Sequence, residues 1–339
     1  MGKIYAGLIF SFVILFLFHL VWGGINLYFW TINGLQAVLD GMNLFERIYF
    51  STYLRWMIAF DLIWIFSALI FLFSRKHYKT NPSLHFLSKK SITAPPKICV
   101  IIPTYNEEKS IEQVINDYII QQHVETIIVV DNNSNDNTVK IAEKAGALII
   151  KKNENKGFAH SYIMGLKEGL RTEANLFLTT EADGTYNGYD VQKLLSYIQN
   201  VDMVIGSRLA QILTEKGNQN SVMHIWGNLF LAKLIQFKYF NLHHLGIVNL
   251  TDVGCLLRLI RRSALEKIIS KTTHPDSDSV IGGDAFSLHL TMLSIENDLR
   301  IIEIPVTFNS RIGHSKTNSN KFFRGIMYGL KFMWFILKN

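Results

Sequence analysis

The chain has 339 residues and a formal net charge of +7 at pH 7. A basic balance of this size is typical of proteins that lie against an anionic membrane surface and of proteins that bind nucleic acid. No basic or aromatic nucleic-acid-binding module is recognisable in the sequence, so we expect a membrane partner and no nucleic acid.

The N-terminal region has the pattern of a transmembrane hairpin. Residues 7–30 contain no Asp, Glu, Lys or Arg, and a second apolar stretch from Trp56 to Ser74 is interrupted only by Asp61. Each stretch is long enough to cross a hydrocarbon core of about 30 Å. We therefore place two spans at about 7–30 and 52–74. His19 and Asp61 would lie at similar depth, and an intramembrane carboxylate usually has a partner, so we predict that they face each other.

Basic residues set the predicted orientation of this hairpin. Arg75, Lys76 and Lys79 follow the second span, whereas the loop between the spans has Arg47 as its one basic residue. By the positive-inside rule, both termini and the domain that follows are cytoplasmic. Residues 1–78 then form the hairpin and residues 79–96 a linker to the next domain. Copies of the hairpin could pair, which would make a homo-oligomer.

Apolar strand-like runs and amphipathic helix-like segments alternate along the chain from Lys97 onwards. Helices are predicted to end near Gln121, Ala145, Leu170 and Gln199, with Ser110 as a cap for the first, and the predicted strands cover 97–102, 126–131, 147–150, 175–178 and 202–206. This alternation predicts an α/β fold in which a mostly parallel sheet has helices on both faces. Cys99 and Cys255 fall in apolar contexts, so we expect reduced core residues.

Polar residues collect where the predicted strands end. Ligands of such sheets bind outside the carboxyl ends of the strands, and the residues found there are Asn106, Glu107, Asp131, Glu181, Asp183 and Arg208. Glu181 and Asp183 are two residues apart, so both project to the same side of an extended segment. Carboxylate oxygens suit Mg²⁺ or Mn²⁺, which often share a substrate phosphate. A solvated acidic turn is the alternative interpretation.

Several of these segments resemble the family 2 glycosyltransferases of the GT-A fold, and most closely the branch of dolichol-phosphate mannose synthase and related polyprenyl-phosphate glycosyltransferases. The matching segments are Pro103–Glu107, Val129–Asp131, Glu181–Gly184, Val204–Arg208, Thr251–Arg258 continuing to Arg261, and Glu303–Lys316. The resemblance runs from about Lys97 to Thr317, so we predict a GT-A domain over 97–317.

The resemblance implies a role for each matching residue. It places Pro103, Tyr105, Glu107 and Asp131 around the base and ribose of a UDP- or GDP-linked sugar, with Glu181 and Asp183 holding the metal. It assigns Arg208, Arg258, Arg311 and Lys316 to the phosphate of a polyprenyl phosphate acceptor, where arginine forks bind phosphate oxygens well. Asp183, Arg208 and Arg258 are the expected catalytic residues, Asp252 is expected to orient Arg258 or the nucleotide, and the family implies inversion at the transferred carbon.

The chain departs from the family pattern at several positions. Glu181 stands where the family usually has Asp, Thr185 where it often has Gln, Asn187 where Pro commonly stands, and Leu256 where Gly is frequent. Glutamate still offers carboxylate oxygens, but its longer side chain puts direct metal ligation in question.

Three alternatives remain open from the sequence. The arginines could pair with neighbouring carboxylates instead of a phosphate. Asp284 could act as a base towards a lipid-linked saccharide hydroxyl, or it could be a helix N-cap. The chain could also be a non-catalytic scaffold that binds nucleotide sugars, an interpretation that Glu181 invites.

Two later segments are apolar enough to contact a membrane. Residues 225–240 interleave aromatic side chains with Lys233 and Lys238. Residues 322–337 are nearly all apolar and lie in a predicted C-terminal amphipathic helix over 318–339. Arg324, Lys331 and Lys338 recur every seven residues, which predicts a basic stripe on a helix at the headgroup level. An amphipathic helix packed on the domain is the alternative for both segments.

Overall fold

The computed structural model describes residues 94–210, 222–239, 249–275, 277, 279–313 and 322–339, together with scattered positions between 16 and 69. These residues belong to two compact units, one comprising Met1–His77 with Trp334–Asn339 and the other Tyr78–Met333. Most of the predicted spans and of the linker 79–96, and Lys316, lie outside the described residues.

The larger unit is built on one seven-stranded sheet. Its strands are β1 (Ile98–Thr104), β2 (Val124–Asp131), β3 (Leu148–Lys151), β4 (Leu176–Thr179), β5 (Met203–Ser207), β6 (Arg258–Arg261) and β7 (Ile301–Pro305). The strand order is β3-β2-β1-β4-β6-β5-β7. All seven residues of β1 are buried, so the sheet is covered on both faces, as its unbroken apolar sequence predicts.

The helices follow the strands in the predicted alternation. They are α1 (Ile111–Ile119), α2 (Thr138–Lys144), α3 (Phe158–Gly169), α4 (Asp190–Ile198), α5 (Val222–Lys238), α6 (Arg262–Ile268), α7 (Phe286–Glu296) and α8 (Phe322–Lys338). In α1 the buried residues are Ile111, Val114, Ile115 and Tyr118, the spacing of a single helical face. The predicted mostly parallel α/β fold is confirmed, and both cysteines are buried and free as expected.

Strand β6 runs against its neighbours. It pairs antiparallel with β4 and with β5, whereas β1, β2, β3 and β4 pair in parallel and β5 pairs in parallel with β7. Arg258, the first residue of β6, lies opposite Thr179 and Ile205, near the carboxyl ends of β4 and β5. Arg261, the last residue of β6, therefore lies towards the opposite edge of the sheet, where its guanidinium donates to the carbonyls of Ile198 and Val201.

Ser110 has a different role from the predicted helix cap. It precedes α1, but its side chain makes no capping hydrogen bond there. Its hydroxyl instead donates to the carbonyl oxygen of Ala182 at 2.7 Å. The start of α1 is thus tied to the loop that follows β4.

In the smaller unit, every described position between 16 and 69 is helical. His19 Nε2 lies 2.6 Å from Asp61 Oδ1, so the prediction that these two side chains face each other is confirmed. Within the part of the chain that the structure describes, no helix combines the length and apolarity needed to cross a bilayer.

Gly165 marks the closest approach of α3 to the sheet and gives a stability prediction. A Cβ at this position would lie 2.4 Å from Ile101 Cγ2 and 2.9 Å from Val130 Cγ2. We expect Gly165→Ala to lower the free energy of unfolding by about 1–3 kcal/mol, because the strand side chains would have to move. Denaturant unfolding of the purified variant measures this.

Gly227→Ala on α5 is the matched control, since a Cβ there meets nothing within 4 Å among the described residues. Its free energy of unfolding should stay level or rise by up to about 1 kcal/mol through helix propensity. Equal effects of the two substitutions would contradict the close approach at Gly165.

Candidate active site

The loops after β1 and β2 form one interlocked pair. The Asn106 amide donates to Ser134 Oγ at 2.9 Å, and the Glu107 amide donates to Thr138 Oγ1 at 2.8 Å. Asn106 has a positive φ of 52°, which its short amide side chain tolerates. These bonds hold the two loops together at the carboxyl edge of the sheet.

The predicted nucleotide-binding residues lie in or beside this loop pair. Asp131 is nearly fully buried and its carboxylate accepts the Ser134 amide at 3.1 Å. Tyr105 and Glu107 are half-buried, whereas Pro103 is a buried residue of β1 opposite Val130. The structure therefore gathers these four residues at one edge, and their contact with a nucleotide stays a prediction.

The loop after β4 carries the acidic pair, and Asp183 is held by its own loop. Asp183 Oδ1 accepts the Thr185 hydroxyl at 2.6 Å and the Thr185 amide at 3.1 Å. Gly184 makes the turn with a φ of +77°, and a Cβ there would meet Ile312 at 2.9 Å. Thr185, noted in the sequence only as a departure from the family pattern, is thus a support for Asp183.

Arg311 contacts both members of the acidic pair. Its Nη2 forms a very short ion pair with Asp183 Oδ2 and lies 3.6 Å from Glu181 Oε2. The backbone explains this placement, because the segment after β7 runs along the acidic loop. Asn309 N donates to Thr185 O at 2.8 Å and Ile312 N donates to Asp183 O at 2.9 Å.

Burial changes the acidity of Glu181. Its removal from water, reinforced by the nearby Asp183 carboxylate, raises the pKa of Glu181 to about 8, although the charge of Arg311 acts in the opposite direction. At neutral pH a proton therefore competes with any cation for Glu181. Protonation is the way in which a buried acidic pair avoids two adjacent negative charges.

Arg208 is fixed by Asp252 at the end of β5. Its Nε lies 2.6 Å from Asp252 Oδ2 and its Nη2 lies 2.8 Å from Oδ1, a two-pronged ion pair with little exposure of either side chain. Although burial acts to raise the pKa of Asp252, the Arg208 guanidinium lowers it overall. The expectation that Asp252 orients Arg258 is wrong, because Asp252 pairs with Arg208, and the expectation that it orients the nucleotide stays a prediction.

Arg258 is fully buried. Its Nε donates to the Cys255 carbonyl at 3.1 Å, and its Nη2 donates to the Ser287 carbonyl at 2.7 Å. Its Nη1 is buried with no hydrogen-bond partner among the described residues. Arg258 therefore joins the 252–255 turn to the start of α7, and its predicted contact with an acceptor phosphate requires the guanidinium to move.

Asp284 lies in the Gly283–Ala285 turn that precedes α7, and its side chain does not cap the helix. Its Oδ2 accepts a hydrogen bond from Lys331 of α8 at 2.7 Å. The same turn borders a cavity of 510 Å³ that is also lined by Lys156, Phe158, His160 and Ser279.

The chemistry of Glu181 and Asp183 fits a hard divalent cation. Both offer carboxylate oxygens that converge on one Arg311 nitrogen, so one cation could reach both. Among the described residues, no group of three or more His, Cys, Asp or Glu side chains converges on one point. The remaining ligands of a bound ion would come from a substrate phosphate and water, which is usual for Mg²⁺.

A mostly parallel α/β sheet with an acidic pair at its carboxyl edge is the GT-A-like architecture that the sequence predicts. The model of "Glycosyl transferase family 2" matches residues 99–269, about half of the chain. The chain belongs to this family.

Two relatives indicate which branch of the family this chain resembles. One is "UDP-N-acetylglucosamine--dolichyl-phosphate N-acetylglucosaminyltransferase" of Methanococcus voltae, 31% identical over 62% of this chain and 84% of that protein. Another is "Polyprenol monophosphomannose synthase" of Mycolicibacterium smegmatis, 28% identical over 65% of this chain and 81% of that protein. The predicted resemblance to polyprenyl-phosphate sugar transferases is confirmed.

Among solved structures, glucosyl-3-phosphoglycerate synthase from Mycobacterium tuberculosis, in complex with Mn²⁺, UDP and phosphoglyceric acid, aligns with a TM-score of 0.49. The identity is 16%, over 70% of this chain and 78% of that one. A likeness this distant does not bear on the substrate or metal of this chain.

Arg311 gives a prediction about metal binding. If the Arg311 guanidinium occupies the position of a cation, Arg311→Gln should tighten Mn²⁺ binding about tenfold or more. The substitution removes the positive charge that competes with Mn²⁺ for the two carboxylates. Isothermal titration of purified protein with Mn²⁺ in the absence of nucleotide measures the change.

Arg300→Gln is the control, since Arg300 pairs with Asp202 beyond the opposite ends of β5 and β7. It should leave Mn²⁺ affinity within twofold of wild type. Weaker binding by Arg311→Gln would show that the guanidinium supports the cation instead of competing with it.

Glu181 gives a prediction about pH. Its pKa of about 8 in the folded protein exceeds the ordinary value of 4.5, so the folded state holds the proton more tightly than the unfolded state. This contribution to stability is complete below about pH 4.5 and is lost as pH rises towards 8. Glu181→Gln removes the titration.

Without added metal, the melting temperature of wild type should therefore fall relative to that of Glu181→Gln between pH 5.5 and pH 8.5. A parallel pH dependence of the two proteins would mean that Glu181 has an ordinary pKa. Asp202→Asn, at the other edge of the sheet, serves as the control for loss of a carboxylate.

Proposed function

We propose that this family 2 glycosyltransferase moves a sugar from a nucleoside diphosphate sugar to a polyprenyl phosphate at a membrane surface. The observation that carries the proposal is the charge arrangement at the carboxyl edge of the sheet. There an acidic pair suited to a metal is contacted by Arg311, and the Arg208–Asp252 ion pair lies at the end of β5.

The two sets of charges match the two phosphate-bearing substrates. Glu181 and Asp183 would hold Mg²⁺ or Mn²⁺, which would supply positive charge to the departing nucleoside diphosphate. Asp131 and Glu107 line the edge where base and ribose would lie. The names of the Methanococcus and Mycolicibacterium relatives, which specify dolichyl phosphate and polyprenol monophosphomannose, support a lipid phosphate as the second substrate.

The reaction needs little help from a general base. A phosphate monoester has a second pKa near ~6, so its oxygen is already ionised near neutral pH. That oxygen attacks the anomeric carbon, the bond to the nucleoside diphosphate breaks, and the diphosphate leaves with the electron pair. Attack from the face opposite the leaving group inverts the configuration, as the family resemblance implies. Arg208 and Arg311 would neutralise and position the acceptor phosphate.

Exposed apolar side chains support the membrane part of the proposal. At the described positions between 16 and 69 they include Leu20, Trp56, Leu62 and Phe66, and Trp226, Phe230, Met327 and Leu330 are exposed on α5 and α8. Large apolar side chains exposed on helices favour contact with lipid. The paired His19 and Asp61 fit a polar contact within a transmembrane hairpin, and the basic residues after residue 74 favour a cytoplasmic site.

Transfer by the full-length protein in detergent tests the proposal. With Mn²⁺ or Mg²⁺, a polyprenyl phosphate and a panel of radiolabelled UDP- and GDP-sugars, wild type should form a labelled lipid. Asp183→Asn should lower the rate about 10²–10³-fold through loss of charge stabilisation. Arg208→Ala should mainly raise the KM for the lipid phosphate.

Arg171→Ala is the charge-matched control, since Arg171 forms an exposed ion pair with Glu168, and it should transfer at the wild-type rate. Absence of labelled lipid with every donor, while nucleotide binding persists, would exclude the proposed reaction and favour a saccharide acceptor or a non-catalytic scaffold.

The cavity beside Asp284 favours a second candidate, transfer to a hydroxyl of a lipid-linked saccharide. The Asp284 carboxylate borders this cavity of 510 Å³, which is large enough for a sugar ring, and it could accept the proton of an attacking hydroxyl. In that case a lipid-linked saccharide, added to the same assay as a second acceptor, would become labelled in place of the polyprenyl phosphate, and Asp284→Asn would abolish the product.

A further inference from the structure

Glu303 is a half-buried carboxylate in β7, the strand whose following segment runs along the acidic loop. It lies opposite Ile205 of β5. Its Oε2 accepts the Thr251 amide and the Thr251 hydroxyl, each at 2.7 Å, and its Oε1 accepts the Asp252 amide at 3.3 Å. One side chain thus satisfies three donors of the turn that carries Asp252.

The hydrogen bonds continue from this turn to the end of β5. Because the Thr251 hydroxyl donates to Glu303, the Ser207 hydroxyl must donate to Thr251 Oγ1, 2.7 Å away. Ser207 Oγ in turn accepts the amides of Leu209 and Ala210 at 3.1 and 3.0 Å. With Glu303 ionised, every hydroxyl proton in this series of hydrogen bonds has one direction, so the three segments are held in a single arrangement.

This series of hydrogen bonds fixes the position of the Arg208–Asp252 ion pair. Arg208 follows Ser207 directly, and its partner Asp252 follows Thr251 directly. Glu303 therefore contacts Thr251, the residue before Asp252. Through Thr251 it is connected to Ser207, the residue before Arg208. A shift of the turn would move Asp252 and with it the guanidinium.

The same strand also determines where Arg311 lies. Beyond β7, Val306 N donates to Ser207 O at 3.1 Å, and Phe308 pairs with Tyr186 as an isolated bridge. The Arg208 guanidinium lies 5.0 Å from the centre of the Phe308 ring. The register of β7 against the 251–252 turn thus determines where Arg311 lies relative to Arg208.

We propose that Glu303 is a positioning residue that sets the separation of Arg208 and Arg311 and so fits the site to a phosphate group of the acceptor. This inference rests on the proposed function. It assigns Glu303 no contact with substrate.

The presence of a carboxylate at Glu303 supports a positioning role. Burial raises the pKa of Glu303 to about 7, so keeping a carboxylate here is unfavourable for stability alone. A glutamine of the same length could accept through one oxygen, but its NH₂ group would face a backbone N–H or the Thr251 hydroxyl. A carboxylate is the group that accepts all three hydrogen bonds.

Steady-state kinetics of variants tests the proposal with polyprenyl phosphate and donor sugar varied in turn. Glu303→Gln should raise the KM for polyprenyl phosphate at least tenfold and leave the donor KM and the Mn²⁺ affinity within twofold of wild type. Thr251→Val should have the same selective effect, and Thr251→Ser, which keeps the hydroxyl, should restore the wild-type KM.

Asp202→Asn is the matched control. Asp202 accepts the Arg300 amide at 2.8 Å and pairs with the Arg300 side chain, so it joins the starts of β5 and β7 as Glu303 joins the 251–252 turn to β7. It should lower the melting temperature without changing the KM for polyprenyl phosphate. An equal rise in acceptor KM for Asp202→Asn and Glu303→Gln, or no selective rise in Glu303→Gln, would overturn the proposal.

Direct binding of farnesyl phosphate separates this inference from the proposed reaction. If wild type binds it and Glu303→Gln binds at least tenfold more weakly, the positioning role stands even where no sugar is transferred. If wild type transfers sugar and Glu303→Gln binds farnesyl phosphate normally, the positioning role fails and the proposed function stands. No binding by wild type would overturn both.

Discussion

The ion pair between Arg208 and Asp252 joins two segments that are 44 residues apart and lies almost completely out of solvent. Buried charges are unfavourable unless each has a well-placed partner, and here both prongs of the guanidinium are used. Asp252 also accepts the Gly254 amide at 3.0 Å, and a Cβ on Gly254 would lie 3.1 Å from Arg208 Nη2. The close approach of this turn to Arg208 therefore favours a residue without a side chain.

The second constraint is the direction of β6. Since β6 runs antiparallel between β4 and β5, the turn before it reaches the same edge as the acidic loop after β4. A parallel strand in this place would put Arg258 and the 252–255 turn at the far edge of the sheet, where Arg261 now donates to the carbonyls at the end of α4. The reversal of β6 thus decides that Arg258, and not Arg261, lies at the edge that carries the acidic loop.

The acidic pair combines two opposing demands. Asp183 accepts a hydrogen bond from Thr185 and pairs with Arg311, whereas burial and the neighbouring Asp183 make the ionised form of Glu181 unfavourable. A guanidinium, a proton and a divalent cation can each satisfy the same carboxylate oxygens. The long side chain of Glu181 lets it share Arg311 with Asp183 across 3.6 Å.

The sequence by itself determined the alternation of strands and helices, the edge at which polar residues gather, the family, and the facing of His19 and Asp61. The alternation and the polar edge follow from local periodicity and from the positions of strand ends, which are properties of contiguous residues. The family follows from short motif segments, and the facing of His19 and Asp61 follows from their matching depth in two apolar stretches. Which arginine meets which carboxylate was decided only by the tertiary structure. Arg208 meets Asp252 and Arg311 meets the acidic pair because β6 reverses and the segment after β7 runs along the acidic loop. Such partnerships depend on strand order and register between distant segments, which no local pattern encodes.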